Sequence, residues 1–450
     1  MQKNEIYETV ITGMTDEGDG VGRIEKMAVF VPYTLIGERV RILIVKVLKH
    51  YAYGKLLEVL SPSVHRVKAE CPYFYQCGGC QLWHMDLEAE LEYKKHKVED
   101  CLRRIGGICV PVQSVVMAGD QKRYRNKAQF PVTPEGIGFY RRNSHAVIPV
   151  EDCLILGEWN QPIVSAVKAW MQEENIPPYD EKTQKGFLRH VYTRAGKSGI
   201  LVTLVTNGEE FLQFQSLKEK ILQAEPSVTG IIQNINTKAT NVVLGQNNKT
   251  LWGKEYMFDS VGKTEFLISP MSFYQVNPRC MQSLYEGAAE FAQLTGREVL
   301  WDLYCGIGTI GQFMAERAAK VIGIEIVPEA VNNARENAKR NGLAHAEYFC
   351  GRAEVLAPKL AEQGMRPDVI ILDPPRKGCD ERLLKTVAEL APKRVVYISC
   401  KPSTLARDLK YLTSAGFQAE QIRPYNMFPR SAHVETVVLM SRICSGDENL

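Results

Sequence analysis

Val299-Leu300-Trp301-Asp302-Leu303-Tyr304-Cys305-Gly306-Ile307-Gly308-Thr309 reads as a strand that runs into a glycine turn and on into a helix. Gly306 and Gly308 allow the backbone to approach a ligand at the carboxyl edge of a sheet, where open α/β folds bind theirs. Glu325 ends the next strand, at the distance where an acidic side chain grips ribose hydroxyls. Outward from this stretch, strands and helices alternate. Strands are expected over Val299–Tyr304, Val321–Glu325, Glu347–Cys350, Val369–Asp373 and Val395–Cys400. Between them lie helical stretches: Gly311–Ala318, Pro328–Arg340, Arg382–Leu390 and Thr404–Ala415. The alternation predicts a parallel α/β sheet over residues 261–450. Gly306, Gly308 and Gly311 also satisfy Gly-x-Gly-x-x-Gly, so on this segment alone a dinucleotide fold stays open.

Ile370-Ile371-Leu372-Asp373-Pro374-Pro375-Arg376-Lys377-Gly378 sets an acid at the end of the fourth strand, before a rigid Pro-Pro turn. That shape resembles the catalytic turn of Rossmann-like methyltransferases and has no role in a nicotinamide dehydrogenase. Val395-Val396-Tyr397-Ile398-Ser399-Cys400 then ends a strand on a cysteine, ahead of the helix from Thr404. A lone cysteine is more often core than catalyst. Beside Asp373 and the glycine turn, Cys400 reads as a nucleophile. A helix N-terminus or nearby cation is expected to lower its pKa from ~8.5.

The front of the chain is different. Glu5–Ile11, Val21–Glu25, Ala28–Val31, Glu38–Val47 and Tyr53–Leu60 are apolar, β-branched runs separated by turn residues. They suit a small OB-like barrel over residues 1–60, used on single-stranded nucleic acid or as a spacer. Residues 61–260 form a mixed α+β region with a charged helix-like stretch, Met85–Ile105. Between Lys122 and Val150 stand six Lys/Arg against one acid, Glu135. Arg123, Arg125, Lys127, Arg141 and Arg142 interleave there with Tyr124, Phe130, Phe139 and Tyr140. Such a patch grips phosphates and stacks bases, or is a solvated strand face.

The 450 residues suggest about three domains, and 45% hydrophobic with 24% charged residues is a globular balance. A net charge of +3 does not by itself demand a nucleic-acid partner. The polar start Met1–Glu8 has no signal-peptide character, and no run approaches the ~18 apolar residues of a membrane span. This predicts a cytoplasmic protein with no membrane contact and no evident obligate protein partner. The twelve cysteines do not resemble a disulfide scaffold. Cys101, Cys109, Cys280, Cys305, Cys350, Cys379 and Cys444 lack ligand spacing and are mostly assigned to packing. Cys71-x5-Cys77-x2-Cys80, with Cys153 far along, leaves zinc, iron–sulfur and plain thiols open.

Phe273-Tyr274-Gln275-Val276-Asn277, Asp302–Gly308, Asp373–Gly378, Ser399-Cys400 and His433-Val434-Glu435-Thr436 occur in this order. Together they resemble the RNA uracil-5-methyltransferases, most closely the 23S ribosomal RNA branch. The resemblance implies a Rossmann-like methyltransferase domain, an N-terminal TRAM barrel and S-adenosylmethionine as cofactor. It implies that Gln275, Tyr304, Glu325 and Asp373 contact cofactor or target base, along the glycine turn of Gly306 and Gly308. It further implies Cys400 as nucleophile, Glu435 as proton-abstracting base, and Cys71, Cys77, Cys80 and Cys153 as ligands of a [4Fe–4S] cluster. Such chemistry needs a thiol because carbon 5 of uracil is a weak nucleophile until a thiolate adds at carbon 6. A base must then remove the carbon 5 proton. The same chemistry on transfer RNA is the nearest rival, and a non-catalytic iron–sulfur RNA-binding protein the rival of another class. A paired or stacked uridine would have to be flipped out.

Overall fold

The computed structural model describes residues 1–240 and 242–443; Cys444 lies outside them. The front of the chain closes on itself. Strands β1 (Ile6–Met14), β2 (Gly20–Ile24), β3 (Met27–Val31), β4 (Arg39–Val47) and β5 (Tyr51–Ser61) form a closed barrel in the order β1-β2-β3-β5-β4. Alternate residues point inward, so Ile11, Val29, Val31, Val40, Ile42 and Ile44 make one small core. Gly20 is required inside it, because a Cβ there would stand 2.0 Å from Thr34 Oγ1.

Helix α1 (Leu87–Cys101) follows, with Asp86 accepting from the Ala89 amide as its N-cap. The central sheet comes next: β6 (Lys127–Thr133), β7 (Gly136–Tyr140), β8 (Val147–Pro149), β9 (Leu188–Gly196), β10 (Gly199–Thr206), β11 (Val228–Ile235) and β12 (Asn247–Gly253). Its order is β12-β11-β10-β9-β6-β7-β8. Helices α2 (Asn160–Glu173) and α3 (Phe214–Ala224) cover one face, packing Ile163, Val167, Leu217 and Ile221 on Val191, Val202 and Leu204. A two-stranded hairpin, β13 (Met257–Val261) with β14 (Thr264–Ile268), leads to α4 (Pro278–Ala292).

The C-terminal sheet contains β15 (Val299–Leu303), β16 (Lys320–Glu325), β17 (Ala346–Cys350), β18 (Val369–Leu372), β19 (Arg394–Ser399), β20 (Phe417–Tyr425) and β21 (Glu435–Arg442). Its helices are α5 (Thr309–Met314), α6 (Pro328–Arg340), α7 (Ala353–Glu362), α8 (Glu381–Leu390) and α9 (Pro402–Ser414). The order is β17-β16-β15-β18-β19-β21-β20, with the first five strands parallel and β21 antiparallel to β19. A dinucleotide sheet continues with a parallel sixth strand. The antiparallel insertion closes that alternative.

Several elements are not legible in the sequence, among them α2, α4, α7, β8, β11 to β14 and the β20–β21 pair. Another difference concerns α1. The expected central domain contributes this charged helix and the chain after it to the C-terminal core, where Val98, Leu102 and Val112 are buried. Val112 and Val116 form bridges to Ile422 and Tyr425 beside β20. The buried stripe of α1 is Glu90, Lys94, Val98 and Cys101, so charge hides its inward face from a hydrophobicity reading.

Candidate active site

The carboxyl edge of the C-terminal sheet opens into a cleft of about 1770 Å3. Tyr304 and Gly306 come from the end of β15, Glu325 from β16, Asp373 from β18 and Cys400 from β19. Glu435 arrives from the opposite direction. Because β21 is antiparallel, its first residue stands where its parallel neighbours end. Gln275 reaches the same cleft from the loop before α4.

The glycine turn is built for close approach. Tyr304 has φ 71°, Gly306 55° and Gly308 82°, and a left-handed tyrosine is held there only by its surroundings. A Cβ on Gly306 would meet nothing within 4 Å, whereas one on Gly308 would lie 2.5 Å from Gln312 Nε2. Glu325 is fixed by the amides of Gly306 (3.1 Å) and Val327 (2.9 Å). Beneath the turn, Asp302 Oδ2 accepts from the Gly311 amide at 2.8 Å, while its Oδ1 is buried without a partner. Burial pushes Asp302 up to about 7.

Around Cys400 the electrostatics run against the sequence expectation. Burial, then the carboxylate of Glu435, raise the thiol to about 11; Asp373 adds to this, and Arg376 opposes it. The N-terminus of α9 does not produce the expected depression. Burial, then Asp373, push Glu435 up to about 8, while burial and Asp302 push Asp373 up to about 7. His433, facing the same cleft, is lowered to about 4 by burial and by Arg376 and Lys97. Asp373, Cys400 and Glu435 thus hold their protons more tightly than free side chains do, and Arg376 is the cation that acts on both Cys400 and Glu435.

A model of the tRNA (uracil-5-)-methyltransferase family matches residues 249–443, and a TRAM domain model matches residues 2–57. An RNA methyltransferase of Halalkalibacterium halodurans is 46% identical, with 98% of each chain covered. One from Staphylococcus epidermidis is 41% identical over the same shares. The chain belongs to the RNA uracil-5-methyltransferase family. The tRNA (uracil-54, C5)-methyltransferase of Pyrococcus abyssi, solved with S-adenosyl-L-homocysteine, is 27% identical. Its TM-score is 0.79, covering 96% of this chain and 100% of that one.

In this uracil-5-methyltransferase the five cations expected on RNA fall into different surroundings. Arg123 is committed to Asp152 by two hydrogen bonds of 2.7 Å and also bonds the carbonyls of Cys153 and Leu156. Arg142 joins the barrel to the central sheet, pairing with Asp19 at 2.8 Å over the ring of Tyr33. Arg141 is exposed, and Arg125 and Lys127 line the cleft. Cys71, Cys77, Cys80 and Cys153 line a second cavity of about 290 Å3 together with Phe74 and Trp83. Burial raises all four thiols, Cys153 to about 11. Among the described residues, no three His, Cys, Asp or Glu side chains converge to hold a single metal ion. Of the other cysteines, Cys101, Cys280, Cys305 and Cys379 are buried, whereas Cys109 and Cys350 are exposed.

Sequence reasoning missed three groups. Arg376 stood inside a recognised motif but had no role until folding brought it near Cys400, Glu435 and His433. Phe273, 68% exposed, offers an aromatic face at the cleft. The third is the clamp on the loop before Glu435. Lys94 Nζ donates to Glu90 Oε1 (2.8 Å), Asn426 Oδ1 (2.6 Å) and the Phe428 carbonyl (3.1 Å). Glu90 Oε1 also accepts from the Arg430 amide at 3.0 Å, and Tyr124 donates to the Pro429 carbonyl at 3.1 Å. No local spacing signals a contact spanning more than three hundred residues.

Proposed function

We propose that this chain methylates carbon 5 of a uridine in 23S ribosomal RNA, using S-adenosylmethionine. The observation that carries the reading is the meeting of Cys400 and Glu435 at adjacent strand ends, beside Asp373. A nucleophile and a separate base are what carbon 5 chemistry requires, and methylation of an amine needs neither. Gln275, Tyr304, Gly306, Gly308, Glu325 and Asp373 hold the cofactor and the target base. When bound, S-adenosylmethionine supplies an electrophilic methyl on its sulfonium.

The Cys400 thiolate adds to carbon 6, and the displaced electron pair moves through carbon 5 toward the carbonyl at carbon 4, making carbon 5 nucleophilic. Arg376 favours the thiolate over the thiol. After methylation, the Glu435 carboxylate takes the carbon 5 proton, and the electron pair left behind expels Cys400. Burial keeps water from the adduct while it exists. Arg125, Lys127 and Arg141 face the RNA, whereas Arg123 and Arg142 act within the protein.

Cys71, Cys77, Cys80 and Cys153 are assigned as ligands of a [4Fe–4S] cluster. What supports the reading is that all four thiols line one cavity, as a cluster taking one thiolate per iron would need. A metal's positive charge would also reverse the rise in their thiol pKa. Its role is structural, pinning the central region next to the RNA.

The barrel and the cysteine spacing favour ribosomal RNA through the resemblance of their motifs. Transfer RNA is the second reading, supported by the named substrate of the Pyrococcus abyssi enzyme. Mass mapping of both RNAs from cells lacking and regaining the protein decides between them. Loss and recovery of 5-methyluridine in 23S RNA is the expected result; a change confined to transfer RNA selects the second reading.

A further inference from the structure

The face of the central sheet turned away from α2 and α3 carries an unusual pair. Lys127 on β6 stands directly opposite Arg194 on β9, and Gln129 opposite Tyr192, in antiparallel register. Side chains alternate along a strand, so these four share one face. Ala128, Phe130 and Val191 take the other face and pack into the core beneath α2 and α3. Like charges directly opposite one another destabilise a sheet. Here one member is almost wholly buried: Arg194 is 2% exposed. Its Nη1 bonds the carbonyls of Ser269 and Ser272, but its Nη2 has no partner. Neither does the hydroxyl of Tyr192, 1% exposed, whose ring lies 5.2 Å from Lys127 Nζ.

Among the described residues, no carboxylate acts on either cation. Besides burial, the groups that act on Lys127 are two cations, Arg194 and Arg125, and together they lower it to about 7. Those that act on Arg194 are the phenols of Tyr192 and Tyr274. Uncompensated buried charge is costly unless a ligand supplies the counter-charge. Lys127 and Arg125 open on the cleft that holds Cys400 and Glu435, and also on the cysteine cavity.

We propose that Lys127, backed by Arg194 and Tyr192, is a socket for one phosphate of the RNA strand entering the catalytic cleft. Lys127 makes the contact, and the buried guanidinium behind it raises the local potential. This rests on reading the chain as an RNA uracil methyltransferase, and it adds a single anchoring phosphate beside the target nucleotide. A socket of this kind fixes register: the base next to the held phosphate is the one that reaches Cys400.

The test uses single-stranded RNA with one uridine in an otherwise uridine-free strand, each phosphate in turn replaced by neutral methylphosphonate. For the wild-type enzyme, one replacement near the uridine should weaken binding by roughly tenfold, and the others much less. Lys127→Gln should lose a similar factor with unmodified RNA and show no further loss at that position. Its salt slope should flatten by ~0.7. Lys127→Arg should restore both. Iron content should be unchanged in both variants. An unchanged salt slope, or losses that simply add at every phosphate, overturns the socket. So does normal RNA binding with lost iron, which would assign these cations to the cysteine cavity. If the phosphate map holds but no 5-methyluridine forms, the functional reading fails and the socket stands.

Discussion

Cys400 and Glu435 leave the sheet side by side: Ser399 pairs with Thr436 in antiparallel register, and each of the two lies one residue beyond that pair. Both side chains therefore meet one pocket from two strands separated in sequence by α9 and β20. The proposed mechanism gives them different steps, and the steps can be separated.

Cys400→Ala should abolish methylation while leaving cofactor and RNA binding intact, because the thiol is needed only for attack on carbon 6. Glu435→Gln should instead allow attack and methylation but slow removal of the carbon 5 proton. A covalent protein–RNA adduct carrying labelled methyl should then persist in denaturing gels. RNA containing 5-fluorouridine should trap the wild-type enzyme in the same way. Normal turnover by Cys400→Ala would remove the mechanism.

The raised carboxyls make a pH prediction. Asp373 sits at about 7 and Glu435 at about 8 in the fold, against ~4 in an unfolded chain. Folding favours their protonated forms, so this stabilisation is fully present below about pH 4 and lost as pH rises through 7 to 8. Glu435→Gln should therefore melt at least ~2 °C above wild type at pH 8.5, with the gap closing toward pH 5. A pH-independent difference in melting temperature would contradict the assignment. In the wild type, the base form of Glu435 grows as pH approaches 8, so resolution of the adduct should accelerate over that range.

Anaerobically purified protein should be brown, absorb broadly near ~400 nm and hold about four irons. Cys153→Ser should lose colour and iron and destabilise the central region. Stoichiometric zinc with no iron is the result that would sink the cluster.

Arg123 and Arg141 should respond oppositely. Arg123→Ala removes the two bonds to Asp152 and should lower the melting temperature without changing the salt slope of RNA binding. Arg141→Ala, at an exposed position, should leave melting unchanged and flatten that slope by up to ~0.7–0.9. Identical behaviour of the two variants would show that their surroundings do not distinguish them.

The clamp on the catalytic loop predicts a larger loss. Lys94→Met leaves buried Glu90 with only the more distant Arg430 guanidinium, 3.6 Å away, as counter-charge, and the loss should approach the ~3–5 kcal/mol of a broken buried pair. The double variant Glu90→Gln/Lys94→Met should recover part of that stability. Its 5-fluorouridine trapping should nonetheless stay slower than wild type, because the loop 426–430 has lost the Lys94 bonds to Asn426 and Phe428.

Local pattern determined much of this protein. Alternating apolar residues made the barrel legible, and the glycine turn after β15 with Asp-Pro-Pro after β18 located the ligand edge of the C-terminal sheet. Cys400 and Glu435 were nameable because each sits in a short motif. Only the tertiary structure decided what surrounds them. The antiparallel entry of β21 carries Glu435 to Cys400, and burial then raises both, for Cys400 opposite to the depression expected at a helix start. It also decided which cations are free, since Arg123 and Arg142 look like Arg141 in sequence but meet Asp152 and Asp19 in space. Secondary structure and turns follow from neighbours along the chain, whereas charge state and pairing depend on whatever the fold brings within a few ångströms.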